Sequence, residues 1–114
     1  AESEVFPYAR RYGLGILARV PLGSGFLSGK HEAWDKFGAG DYRSTLGKDE
    51  IARRVHEAER IADEELPLGV SQVRWALAWC LRDPVVAAVI PGAKSPEQVA
   101  ENASAADLLS DKMP

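Results

Sequence analysis

The feature that most constrains the fold of this 114-residue chain is a pair of short, almost wholly apolar segments, each of which leads into helical sequence. Residues 14–20 lie between Gly13 and Pro21, and residues 85–90 follow Pro84. Continuously apolar segments of this length are typical of strands covered on both faces, and their alternation with helices predicts a parallel sheet. Two strands cannot close a barrel or protect both edges of a sheet. We therefore predict an α/β segment that is incomplete on its own.

Helical patterns surround these two strands. They occupy four stretches, at residues 4–12, 48–65, 71–82 and 95–106. In the second stretch Ile51, Val55 and Ala58 recur on one face, and Ser71 is placed to cap the third. Residues 31–47 lack periodicity, and a loop of that length in a compact domain is usually a lid, a binding loop or a disordered segment. We predict a long loop there and a trailing tail from residue 105 onwards.

Several apolar side chains of the last two helices are predicted to pack in the core. Their spacing follows the helical repeat, which brings them to one side of each helix. The expected core members are Trp75, Trp79 and Cys80 on the third helix, and a stripe of Val99, Ala103 and Ala106 on the fourth.

Composition narrows the classes of function. The formal net charge is −3 at pH 7, which offers no general attraction to nucleic acid or to an anionic membrane, so any phosphate recognition must be local. Cys80 is the only cysteine, which excludes an internal disulfide, and no spacing of His, Cys and carboxylates indicates a metal site. The chain has no segment with the form of a signal peptide or a membrane span, so the expected compartment is the cytoplasm.

The segment from residue 85 to residue 102, VVAAVIPGAKSPEQVAEN, carries the strongest indication of a binding site. Its strand ends at a Pro-Gly pair, and Ser95, Pro96 and Gln98 belong to an S-x-x-Q capping box that begins a helix. Backbone N–H groups at a helix start bind anions, and Lys94 adds a full charge beside them. The pattern predicts a phosphate site.

Three polar residues of the same helix, Gln98, Glu101 and Asn102, fall on one face, and an amide beside a carboxylate can read an adenine edge. A solvated polar face with an ordinary helix cap is the alternative, and from chemistry alone it is the more frequent outcome. Residues 21–30 are a weaker phosphate-loop signal. Their glycines fall as GxGxxxG, which matches neither a dinucleotide fingerprint nor a Walker loop, and a plain connecting loop is an equally good interpretation.

The segments RYGLGILARVPLGSGFLSGK and VVAAVIPGAKSPEQVAENASAADLL, with the helix pair between them, closely resemble the C-terminal portion of the aldo-keto reductases, and among these the bacterial members. The resemblance covers residues 11–109. It implies a (β/α)8 TIM barrel in which residues 14–20 form strand seven and residues 85–90 form strand eight. Residues 1–114 are then the C-terminal segment of a single barrel domain, with residues 31–47 as a long loop that covers the cofactor.

The resemblance also implies a site for NADP. The residues it assigns to the nicotinamide and pyrophosphate side are Arg19, Val20, Pro21, Leu22, Gly23 and Ser24. The long loop contributes Lys30 and Arg43. The adenine and the 2′-phosphate are assigned to Gly92, Lys94, Gln98, Glu101 and Asn102. Cations near the 2′-phosphate favour NADP over NAD, because the extra phosphate needs a charged partner.

Two departures from the family pattern concern this site. Arg19 and Val20 stand where many members have an aromatic residue, which stacks on the nicotinamide, followed by serine; a guanidinium plane can also stack. Gly92 and Gln98 stand where some members have a lysine and an arginine, so Lys94 is expected to carry most of the attraction for the 2′-phosphate.

Members of the family use NADP(H) to reduce an aldehyde or ketone to an alcohol, with a tyrosine, a lysine, an aspartate and a histidine from the first half of the barrel. This chain offers no catalytic residue of that set, and Tyr42, His31 and His56 lie in other segments. We expect the cofactor-holding part of an NADP-dependent oxidoreductase, inactive alone, that requires an N-terminal barrel half and a small-molecule carbonyl substrate. The alternative is a catalytically inactive nucleotide-binding or structural piece that functions only with another chain.

Overall fold

The computed structural model describes residues 2–111. The elements are, in chain order, α1 (Val5–Arg11), β1 (Ile16–Arg19), α2 (Lys48–Glu64), α3 (Gln72–Leu81), β2 (Val86–Ile90), α4 (Pro96–Ser104) and α5 (Leu108–Asp111). Short 3-10 turns lie at Phe26–Ser28, Tyr42–Thr45 and Ala105–Asp107. The predicted strands and helices are confirmed, with ends within two residues of the expected positions.

The end of α1 explains where the chain turns into β1. Gly13 follows the helix with a φ of +65°, a conformation that favours glycine. The N–H of Leu14 donates to the Ala9 carbonyl oxygen at 2.9 Å, and the N–H of Gly13 donates to the Arg10 carbonyl oxygen at 3.4 Å. These two bonds form a Schellman motif, which ends the helix and directs the chain into the strand.

Strands β1 and β2 pair in parallel, as predicted. Leu17 lies opposite Ala88 and Arg19 lies opposite Ile90. Because parallel strands end at the same edge of a sheet, the segments that follow Arg19 and Ile90 begin side by side. This edge is where the two predicted phosphate-binding segments meet.

Three apolar clusters hold the chain together. The first joins α1 and α3 to the sheet, the second joins α2 to the turn after β1, and the third joins α3 to the 3-10 turn after α4. The buried residues of the three clusters are, in that order, Ala9, Val85 and Val86; Phe26, Ile51 and Val55; and Val73, Leu77 and Ala105.

The second face of the sheet is bare. Leu17 is 63% exposed, and Ala88 and Ile90 are exposed beside it. The prediction that both faces of the strands are covered is therefore wrong for this chain by itself. Both α1 and α3 pack on the same face, and no other described element lies over the opposite one.

The end of the chain also differs from expectation. The predicted apolar stripe of α4 is exposed: Val99 is 58% exposed, and Ala103 and Ala106 are exposed as well. The chain instead buries Ala105 to 1% and Leu108 to 4% exposure. The expected tail is thus structured as far as residue 111, because these two side chains lie on or beside α3, and residues 112–114 lie outside the described part.

Candidate functional site

Three segments meet in a cleft of about 470 Å³ at the carboxyl edge of the sheet. One follows β1, one belongs to the long loop, and one follows β2. The lining residues are Ser24 and Gly25; Asp41, Tyr42 and Arg43; and Gly92, Ala93, Lys94 and Gln98. Five of the thirteen predicted site residues are therefore brought together: Ser24, Arg43, Gly92, Lys94 and Gln98.

The turn between β2 and α4 is held by the polar face of the helix. The Ser95 hydroxyl accepts from the Gln98 N–H at 3.2 Å, which confirms the predicted helix cap. The Gln98 side chain accepts from the Lys94 N–H at 2.6 Å, one residue earlier than a capping box requires. The Asn102 amide donates to the Gly92 carbonyl oxygen at 3.3 Å. Gln98 and Asn102 therefore shape the turn that carries Lys94.

Arg43 is the most tightly held side chain of the cleft. Its guanidinium donates to both carboxylate oxygens of Asp41, at 3.0 and 2.7 Å, and to the Ser24 carbonyl oxygen at 3.3 Å. It also lies 4.3 Å from the centre of the Phe37 ring, a cation–π distance. These contacts fix the charge of Arg43 at the mouth of the turn that follows β1.

The carboxylate of Asp41 partly neutralises the positive charge of the cleft. The side chain and backbone N–H of Arg43 lower the pKa of Asp41 from 3.8 to about 2, and the charge of Lys94 contributes to the same shift. The bond to Asp41 in turn raises the pKa of Arg43. At neutral pH the cleft therefore presents two cations and one carboxylate, which is a net attraction for an anion.

The turn after β1 is locally strained. Val20 and Ser24 have φ values of +50° and +61°, which non-glycine residues rarely adopt, and Gly23 and Gly25 are also left-handed. Two backbone hydrogen bonds close the turn. The Gly23 N–H donates to the Val20 carbonyl oxygen at 3.0 Å, and the Gly25 N–H also donates within the turn. Strain of this kind concentrates at binding and catalytic sites, and here it lies where the pyrophosphate and nicotinamide are expected.

The other eight predicted site residues lie outside the lining of this cleft. Arg19, Val20 and Lys30 are exposed, and Pro21 is buried beside α3. Leu22 packs in the third apolar cluster. The remaining three are Gly23, in a shallow depression next to Phe26, and Glu101 and Asn102, on α4. Their assignment to the cofactor stays a prediction.

Sequence reasoning missed the contribution of Asp41 and Tyr42. Asp41 caps the 3-10 turn by accepting from the Arg43 N–H at 2.9 Å, a local signal for a turn that places Arg43 beside it. Tyr42 is 62% exposed on the wall of the cleft. Its position beside Lys94 depends on folding across about half of the chain, which no local pattern indicates.

A second cleft, of about 350 Å³, lies between α2 and α3 and is lined in part by Trp75, Trp79 and Cys80. Trp75 and Cys80 are mostly covered, but Trp79 is 45% exposed, so its predicted place in the core is wrong. The Arg82 guanidinium covers one face of the Trp79 ring at 3.5 Å instead. Burial raises the pKa of the Cys80 thiol, which disfavours the reactive thiolate.

The described residues hold neither a cluster of metal ligands nor a helix that could span a membrane. Between residues 2 and 111, His, Cys, Asp and Glu side chains form no group of three that could hold a metal ion. None of the helices in that part of the chain has the length and apolar character needed to cross a bilayer.

Comparison with known proteins gives one consistent result. The model of the aldo/keto reductase family matches residues 1–113. A probable voltage-gated potassium channel subunit beta of Oryza sativa subsp. japonica is 37% identical over 116 residues, which cover 95% of this chain and 34% of that protein. An uncharacterized oxidoreductase of Bacillus subtilis is 38% identical over 112 residues, with 98% of this chain and 33% of that protein covered.

Among solved structures, the glycerol dehydrogenase of Gluconobacter oxydans superposes with a TM-score of 0.66 at 26% identity. The superposition covers 99% of this chain and 39% of that one. The chain spans about a third of the length of the curated relatives that it matches. On the agreement of family model, relatives and fold, the chain belongs to the aldo/keto reductase family.

Proposed function

We propose that this chain forms strands seven and eight of an NADP(H)-dependent reductase barrel and holds the adenosine end of the cofactor. The cleft between the long loop and the start of α4 is the observation that carries the proposal. It combines Lys94 and Arg43 with a helix N-terminus, and each of these features attracts phosphate.

The position of the cleft supports this assignment. Barrel enzymes bind phosphate groups after strands seven and eight, at the face where the strands end. Here the cleft opens where the segments after β1 and β2 meet, and the two strands are parallel neighbours. The bare face formed by Leu17, Ala88 and Ile90 would then turn towards the barrel interior.

The residues of the cleft fit a 2′-phosphate. Lys94 has a flexible ammonium group that can contact phosphate oxygens, and Arg43 offers a planar fork of donors. The N–H groups of Lys94 and Gln98 are already hydrogen-bonded within the turn, so the two cations carry the larger share of the attraction. Tyr42, exposed on the same wall, adds an aromatic face on which an adenine can stack.

The proposed role of this chain is to bind and orient the cofactor. When bound, NADPH would supply the hydride that reduces a carbonyl carbon. Arg19 and Val20, at the end of β1, are proposed to contact the nicotinamide side, while Lys94 and Arg43 hold the opposite end. The proton is handled by a tyrosine, lysine, aspartate and histidine set from sequence outside this chain, and the chain alone does not reduce carbonyls.

A second candidate function is nucleotide binding without reduction. It is favoured by relatives that carry the name of probable voltage-gated potassium channel subunits, one of them 37% identical to this chain. In that case the same cleft binds the nucleotide, and another chain responds to whether the nucleotide is bound. Oxidation of NADPH that depends on an aldehyde or ketone, measured with the full-length protein, supports the reductase; tight binding without turnover supports the second candidate.

The cofactor assignment is tested by Lys94→Ala in the full-length protein. We expect NADPH to bind about 10- to 100-fold more weakly, which is the loss of one charge-assisted hydrogen bond, and NADH to change less than about threefold. Lys36→Ala is the matched control, because Lys36 is an exposed lysine of the long loop and does not line the cleft. Fluorescence titration measures both cofactors. Equal losses for NADPH and NADH contradict a 2′-phosphate site at Lys94.

A further inference from the structure

His31 lies at the centre of a hydrogen-bonded chain that ends in the cleft. Its Nδ1 is 3.1 Å from a carboxylate oxygen of Asp35, and its Nε2 is 3.2 Å from Nη1 of Arg43. The ring is also wedged between Phe26 and Phe37, with ring centres 5.4 and 5.6 Å away. The side chain is mostly covered, and these four contacts restrict rotation of the imidazole.

These neighbours select one form of the ring. A guanidinium N–H can only donate, so Nε2 of His31 must accept from Arg43 and carries no proton. A neutral imidazole then has its proton on Nδ1, where the Asp35 carboxylate accepts it. The arrangement is chemically consistent only for a neutral His31 protonated at Nδ1.

We propose that His31, in this form, positions Nη1 of Arg43 in the cleft, and that protonation of His31 breaks this contact and weakens binding of a phosphorylated nucleotide. The same Nη1 of Arg43 that donates to His31 also donates to the Ser24 carbonyl oxygen at 3.3 Å. His31 therefore orients the donor that faces the turn after β1. The effect on affinity rests on the function proposed above, whereas the effect on Arg43 does not.

Protonation changes this geometry because it places a hydrogen on Nε2, where only a donor stands opposite. The lone pair that held Arg43 is lost, and two cations face each other over 3.2 Å. The charged groups around the ring are the cation Arg43 and four carboxylates that neighbour it from the loop and from α2, namely Asp35, Glu32, Glu59 and Asp63.

The carboxylates determine which contact of His31 is kept when the ring is protonated. The N–H of Glu32 and the His31 ring lower the pKa of Asp35, so that carboxylate stays charged and retains the protonated ring. Arg43 retains its two bonds to Asp41 but loses its contact with His31. Nη1 of Arg43 therefore loses the contact that orients it, while Asp41 continues to hold Nε and Nη2.

The first test concerns the ring itself and needs no nucleotide. Proton–nitrogen NMR of the full-length protein labelled with ¹⁵N-histidine distinguishes the two tautomers, and His31→Gln and His56→Gln identify the signals. At pH 8 we expect Nδ1 of His31 to carry the proton and Nε2 to show the shift of an unprotonated nitrogen. A signal from His31 with the proton on Nε2 overturns the proposal whatever the protein binds.

The second test follows NADPH affinity from about pH 8 to about pH 5.5, the range in which imidazoles change charge. Between these limits wild type and His56→Gln are expected to lose about tenfold more affinity than His31→Gln, the effect of one hydrogen bond to a charged group. His56 is the matched control because it is exposed on α2. Protonation of the 2′-phosphate contributes equally to all three proteins.

The outcomes separate this inference from the proposed function. An identical pH profile for wild type and His31→Gln, with the predicted tautomer present, overturns the role of His31 in binding. A protein with the predicted tautomer that binds no NADPH at any pH overturns the proposed function and leaves only the positioning of Arg43.

Discussion

Gly29 offers a direct test of how the turn after β1 is fastened to the helices. Its φ is +77°, and a Cβ added there would overlap with the Gln72 side-chain oxygen. Gln72 cannot simply move aside, because its amide donates to the Ala58 carbonyl oxygen of α2 at 2.7 Å. Gly29→Ala therefore disturbs a junction between the turn, α2 and α3.

The expected loss of stability follows from three contributions. A side chain in the left-handed region costs about 1–2 kcal/mol. Displacing Gln72 removes a hydrogen bond worth about 1 kcal/mol. The smaller entropy of alanine in the unfolded chain offsets about 0.5 kcal/mol of this. We expect Gly29→Ala to lower the free energy of unfolding by about 2 kcal/mol, as measured by urea denaturation.

The control and a second variant make the reasoning refutable. Gly38→Ala is the control, because a Cβ there meets nothing within 4 Å, and its effect should stay within about 0.5 kcal/mol. In a Gln72→Ala background the obstacle is gone, so Gly29→Ala should then cost only the left-handed part, about 1 kcal/mol. Equal unfolding free energies for Gly29→Ala and Gly38→Ala would refute the explanation.

Two further predictions concern acid stability and the end of the chain. Because the folded pKa of Asp41 is about 2, the stability contributed by its pair with Arg43 is present above about pH 4 and is lost as the pH falls towards 2. Asp41→Asn should therefore flatten the acid limb of a urea-unfolding series between about pH 5 and pH 2, and an unchanged slope would contradict the assignment. Leu108→Ala should lower the free energy of unfolding by about 2–4 kcal/mol, since Leu108 is buried, whereas Val99→Ala on exposed α4 should cost less than about 0.5 kcal/mol. The reverse order of these two effects would mean that Val99 faces a core.

Local signals were sufficient to predict the elements of the fold. Gly13 ends α1 because it can adopt a left-handed conformation, and Ser71 and Ser95 begin α3 and α4 because their hydroxyls accept helix N–H groups. Each of these effects acts over about four residues, so the sequence nearby is enough to detect it. The helix start after β2, on which the proposed phosphate site depends, was predictable for the same reason.

The orientation of the elements was less predictable. Val99, Ala103 and Ala106 have the correct helical spacing, but spacing does not say which face meets a neighbour. That choice is made by Ala105 and Leu108, which pack against α3 and its surroundings and turn the predicted stripe outwards. Contacts between distant segments decided the outcome, and the sequence of α4 alone does not contain them.

The composition of the cleft was partly predictable in the same sense. Lys94 and Gln98 were expected from the helix start after β2, and Ser24 was expected from the family resemblance. Asp41 and Tyr42 reach the cleft only because the long loop folds back, with Phe37 packed on the cluster around Phe26. The sequence of a loop without periodicity does not indicate where the middle of that loop will lie in the folded chain.

The construction of the cleft from three separate segments has a thermodynamic consequence. A nucleotide held there touches residues up to about 70 positions apart, which lie together only in the folded chain. Such a ligand acts as a removable crosslink, because it binds the folded state and not the unfolded one. At a concentration 100 times its dissociation constant it would add about 2.7 kcal/mol to the free energy of unfolding. A bound cofactor would then also be a structural component, and the free energy of unfolding would rise with its concentration.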